Sequence, residues 1–88
     1  MEQQEFIDIL RAEGYAEPVL VQRGPDGRLD DHAHPFEAKG LVLTGEMRIH
    51  AGGEIKIYRA GDVFHLRRAE PHRESYGPAG VAYLSGRR

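Results

Sequence analysis

Between Glu2 and Glu13 the apolar residues Phe6, Ile9 and Leu10 recur at helical spacing, and Gly14 follows with the backbone freedom that closes many helices in a left-handed turn. One short amphipathic helix is predicted there. From Pro18 onward the pattern becomes that of β-structure, in short segments: Val19 to Gln22, Leu29 to His34, Gly40 to Leu43, Glu46 to His50, Glu54 to Tyr58, Val63 to Leu66, His72 to Tyr76 and Val81 to Leu84. The separators are turn formers: Gly24-Pro25-Asp26-Gly27, Thr44-Gly45, Gly52-Gly53, Gly61-Asp62 and Gly77-Pro78-Ala79-Gly80. No segment after Gly14 has the length or period of a helix. The sequence therefore predicts an all-β sandwich or barrel over residues 18–86, preceded by a helix at 1–14, in a single domain of 88 residues.

A chain this short buries a modest core, and without cysteine it has no disulfide to staple it. A bound metal or a subunit interface is the expected source of extra stability, and a homodimer is expected. Lys and Arg number 12 against 14 Asp and Glu, for a net charge of −2. With a pI near 6.2 and no cluster of more than two adjacent cations, the chain offers no broad basic field for a phosphate backbone, so no nucleic-acid partner is expected. The opening Met1-Glu2-Gln3-Gln4 lacks a positive region, and apolar runs such as Leu41-Val42-Leu43 are too short to cross a bilayer. No membrane partner and a cytoplasmic location are the expectations.

The chemistry concentrates in three histidines. His32 and His34 are two residues apart, so on a strand both side chains face one way, and His72 must join them from another strand. Three imidazoles with coordination positions left open suit a divalent metal ion, whether Zn, Fe, Mn, Ni or Cu, and leave room for water or a small-molecule substrate. Glu74 lies two residues beyond His72 and on an unbroken strand faces the same interior. It is a candidate fourth ligand, general base or orienting partner of a histidine, against the plainer reading of a rim carboxylate paired with an arginine. His65 falls between Phe64 and Leu66 and should face outward, while His50 should be an exposed hairpin residue. Phe36, Met47, Tyr58 and Tyr83 are candidate pocket walls or simply core, and Asp62 should fix its turn.

The segment from Gly27 to Gly86 resembles the cupin superfamily. The first motif reads His32-Ala33-His34-Pro35-Phe36-Glu37-Ala38-Lys39-Gly40-Leu41-Val42-Leu43-Thr44-Gly45, and the second Gly61-Asp62-Val63-Phe64-His65-Leu66-Arg67-Arg68-Ala69-Glu70-Pro71-His72. The resemblance implies a double-stranded β-helix, the jelly-roll barrel, with His32, His34 and His72 as metal ligands. Two departures stand out. The position at which cupins carry a metal-binding glutamate falls on Ala38, and Glu37 sits one residue earlier, where it reaches the ion only if Pro35 introduces a bulge. Arg67-Arg68-Ala69 replaces a Pro-x-Gly turn and sets two cations before His72, as solvated loop residues or as a contact for a substrate anion. The resemblance implies a metal-dependent oxygenase, isomerase or lyase in which Glu74 or Glu37 moves a proton. The alternatives are a non-catalytic module that binds or senses a small ligand, and a barrel whose ion serves folding.

Overall fold

The computed structural model describes residues 1–88. It contains helix α1 (Gln3–Ala12) and strands β1 (Val19–Arg23), β2 (Arg28–His32), β3 (Ala38–Ala51), β4 (Glu54–Arg59), β5 (Val63–Leu66) and β6 (His72–Arg87). Two long antiparallel strands, β3 and β6, form the spine and pair along most of their length. The first part of β3 pairs with β5 and its second part with β4, while the first part of β6 pairs with β2 and its second part with β1. The spine is thus shared by two four-stranded halves, β1-β6-β3-β5 and β2-β6-β3-β4, as in a double-stranded β-helix.

Eight expected strands became six because two expected turns lie inside the spine. Thr44-Gly45 falls within β3, and Gly77-Pro78-Ala79-Gly80 falls within β6, where the β3–β6 register slips between Val42 and Thr44 and again between Gly45 and Met47. Extra residues in one strand bend it and increase its twist, so these turn formers are the corners of a folded strand rather than its ends. The corner is tight: Gly45 has φ +77°, and a Cβ on it would stand 2.1 Å from the Gly80 carbonyl oxygen. An L side chain is strained at that φ and finds no space besides.

Folding the spine produces two faces with different contents. Inside, Ala38, Val42, Met47, Ile49, Phe64, Leu66, Tyr76, Val81 and Tyr83 form one core. Outside, Phe6, Leu10 and Tyr15 pack on Leu41 and Leu84 in a second core, so α1 buries its apolar face against its own sheet. The helix ends as its sequence predicts. Gly14 (φ +82°) carries the left-handed position, Tyr15 N donates to Leu10 O at 2.9 Å, and Gly14 N donates to Arg11 O at 3.2 Å. That hydrogen-bond pair with its Tyr15–Leu10 contact is a Schellman closure, which turns the chain back onto the sheet. The 10-residue helix is neither long nor apolar enough to cross a membrane.

Candidate functional site

The histidines converge as their spacing implies. His32 ends β2 directly opposite His72 at the start of β6, and His34 follows in the irregular segment before β3 rather than on a strand. The ring centroids lie 4.2 Å apart for His32 and His72, 4.9 Å for His32 and His34, and 5.2 Å for His34 and His72. One ring nitrogen from each residue lies within 4.8 Å of the others.

Backbone carbonyls decide how these rings present themselves. His32 Nδ1 lies 2.7 Å from Asp30 O, and His72 Nδ1 lies 2.9 Å from Glu70 O. A carbonyl only accepts, so Nδ1 is the donor in both rings, and the neutral tautomer this selects has its lone pair on Nε2. His72 Nε2 is buried and has no hydrogen-bond partner. A buried nitrogen lone pair without a donor costs free energy unless something else engages it, and with two further imidazoles offering nitrogens within 4.8 Å a metal ion fits that role. At His34 burial lowers the pKa, as do the neighbouring His32 and His72, which favours the neutral ring that coordination requires.

The two glutamates part company here. Glu74 is 6% exposed on the inner face of β6, and its Oε2 accepts a hydrogen bond from the Tyr76 hydroxyl at 2.9 Å. Its Oε1 stands 3.8 Å from His72 Nε2, beyond hydrogen-bond distance. Burial and then the Glu74 charge push Tyr83 up to about 12 and raise Tyr76 as well, so both phenols stay protonated as donors. Glu37 points elsewhere, which corrects its assignment as a ligand or proton carrier at the histidines. Its backbone N and O both pair with Arg88 at 3.0 Å, continuing the ladder without the inward turn a Pro35 bulge would need. Its carboxylate pairs with His65 and accepts from Arg88 Nε at 2.6 Å. The inward position belongs to Ala38, whose methyl group cannot coordinate.

A cavity of about 80 Å³ adjoins the imidazoles, and its lining includes His32, His34, Phe36, Glu74, Tyr83 and Ser85. A separate, larger recess of about 480 Å³ contains Tyr58, His65, Arg67 and Glu70 in its walls and none of the three histidines. Of the four candidate wall residues, Phe36 and Tyr83 reach the histidine cavity, Tyr58 lines the other recess, and Met47 is core. Arg67 and Arg68 are exposed on the turn before His72, where Glu70 Oε1 accepts from Arg67 N at 2.9 Å. The cations that line the histidine cavity are instead Arg23 and Arg87, at the ends of β1 and β6. Their signal was alternation: Arg23 follows Val21 by two and Arg87 follows Ser85 by two, but the expected strands stopped at Gln22 and Leu84.

A small double-stranded β-helix with a His-x-His pair answered by a third histidine defines a class. The profile of the Cupin domain matches residues 19–76, and the chain belongs to that family. Solved structures agree on the fold. An RmlC-like cupin from Shewanella frigidimarina superposes with a TM-score of 0.69 at 22% identity, over 81% of this chain and 64% of the other. KdgF from a Halomonas species superposes with a TM-score of 0.68 at 19% identity, over 81% and 68%. A cupin superfamily protein from Desulfitobacterium hafniense gives 0.69 at 16%, over 78% and 62%. The chain spans less than two thirds of the Shewanella and Desulfitobacterium proteins, and no curated protein matches its sequence.

Proposed function

We propose that this chain is a metal-binding cupin that acts on a small molecule, with His32, His34 and His72 as protein ligands of one divalent ion. The observation that carries the reading is His72 Nε2, buried without a partner in a ring that lies beside two other imidazoles. Asp30 O and Glu70 O act as the outer partners that fix the His32 and His72 tautomers for coordination. When bound, the ion would supply Lewis acidity or redox chemistry at a substrate oxygen.

The chain's own residues define the rest of the reading. Glu74 keeps Oε2 on the Tyr76 hydroxyl and leaves Oε1 free to take a proton from, or return it to, a substrate atom in the cavity. Phe36 stacks on His34 at 4.8 Å and 10°, which holds that ring and excludes water from one side. The reaction class is an oxygenation, isomerisation or elimination on a small substrate in the cytoplasm, carried out by a homodimer.

Elemental analysis by mass spectrometry of protein purified from its own host, without tag or chelator, tests the reading. About one equivalent of iron, manganese, nickel or copper per chain is the expected result for a catalytic centre. Metal-free protein would instead favour a ligand-binding barrel.

A further inference from the structure

We infer that the cavity beside the imidazoles takes a small organic carboxylate, held by the guanidinium groups of Arg23 and Arg87. Strand phase brings both arginines there. Val21 pairs with Tyr83 and Arg23 with Val81, so Arg23 occupies the last inward position of β1. Arg87 pairs with Ala38 and continues the inward series Val81, Tyr83, Ser85 along β6. Both line the same cavity as His32, His34 and Glu74.

Neither guanidinium is committed to a carboxylate. Arg23 donates to the Gln22 carbonyl at 3.2 Å and also reaches the Tyr76 hydroxyl, neither of which is a counter-charge, and Arg87 lies 4.5 Å over the Phe36 ring. Phe36 in turn stacks on His34, so the Arg87 guanidinium is layered over the metal-site ring by an aromatic spacer and not by a counter-charge. The one carboxylate in the lining, Glu74, already accepts from Tyr76. Two arginine forks with free donors beside a small cavity call for an anion with planar oxygens.

The remaining walls specify the rest of the ligand. Val21, Ala38, Phe64 and Leu66 form an apolar side to the same cavity, which an inorganic anion would leave without a partner and a carbon skeleton would cover. The cavity is small, about 80 Å³, which favours a ligand with a short carbon skeleton beside its carboxylate. This inference rests on the metal reading only for the position of the ligand's far end, beside the imidazoles.

Calorimetric titration of the zinc-loaded protein with acetate, pyruvate and malonate tests it, with acetamide and inorganic phosphate as counterparts. Binding of at least one carboxylate is expected, weakened about tenfold in Arg23→Ala or Arg87→Ala and about a hundredfold in the double variant, with acetamide silent. Zinc content and melting temperature should stay at parent values in all three variants, since both arginines are exposed. Unchanged carboxylate affinity in the double variant, equal binding of acetamide, or phosphate binding tighter than every carboxylate would each overturn the inference. Fully zinc-loaded protein that ignores all three carboxylates would overturn it while leaving the metal reading intact. Arginine-dependent carboxylate binding by a protein that takes up no zinc would support it and remove the metal reading instead.

Discussion

Glu74 and Glu37 each stand beside a histidine, on opposite faces of the same folded sheet. On the inner face, Glu74 shares a buried space with His72 and satisfies only one oxygen, through Tyr76. On the outer face, Glu37 uses both oxygens on His65 and Arg88. Arg88 also donates to the Glu13 carbonyl and lies 4.5 Å over the Tyr15 ring, while Lys39 reaches Glu13 at 2.6 Å. The outer cluster therefore ties the end of α1 to the sheet with both Glu37 oxygens engaged, and the buried Tyr15 hydroxyl is its one side-chain group without a partner. The inner cluster holds a nitrogen lone pair and a carboxylate oxygen in reserve. A buried imidazole lone pair beside a carboxylate with one oxygen unengaged marks a site for chemistry; a carboxylate paired on both oxygens marks a fastening.

Histidine replacement should separate the faces most sharply. His72→Ala is expected to weaken zinc binding by at least ~100-fold, because it removes a ligand outright, where loss of an outer partner alone costs 10–100-fold. His65→Ala should leave zinc binding at the parent value, as read by competition with a chromogenic chelator. Equal losses in the two variants would erase the distinction.

The reverse asymmetry applies to stability. Leu10→Ala empties a fully buried position in the outer core and should cost about 2–5 kcal/mol in urea denaturation, with zinc stoichiometry retained in the folded protein. Tyr76→Phe should cost less, about 1–3 kcal/mol, by stripping the donor from a buried Glu74 oxygen. A neutral Tyr76→Phe would mean that Glu74 finds another donor.

The smallest expected effect lies in the acid limb. Glu37 is held down to about 2, first by the Arg88 hydrogen bond and then by His65, from an ordinary value of 4.5. A folded pKa below the unfolded one contributes stability that is present above about pH 4.5 and is lost as the pH falls toward 2. Glu37→Gln should flatten that part of the stability–pH curve and leave zinc uptake unchanged. An unaltered acid limb would show that the exposed cluster is screened by solvent.

The sequence made some of this legible and hid the rest for physical reasons. His72 and Glu74 share a face of β6 through the strict two-residue alternation of a strand, whereas His34 joins the cluster from the irregular segment after β2, so the His-x-His spacing grouped the ligands although strand phase does not hold there. The helix and its Gly14 closure followed from spacing and backbone freedom. The corners at Gly45 and Gly80 were indistinguishable from hairpin turns, since glycine serves equally to end a strand and to bend one. The outward direction of Glu37 depends on its pairing with Arg88, a contact across 51 residues that no local pattern announces. Arg23 and Arg87 sit on terminal strand residues, where patterning is weakest, yet their phase carries them to the cavity lining.

The most direct test of the account is nitrogen NMR of the five imidazoles during titration with one equivalent of zinc. Before zinc, His32 and His72 should show Nδ1 protonated and Nε2 bare; on addition, the Nε2 signals of both and one ring nitrogen of His34 should move together and saturate at one ion per chain, with His50 and His65 still. A shift confined to His50 or His65, or zinc binding that leaves His72 Nε2 unmoved, would contradict it.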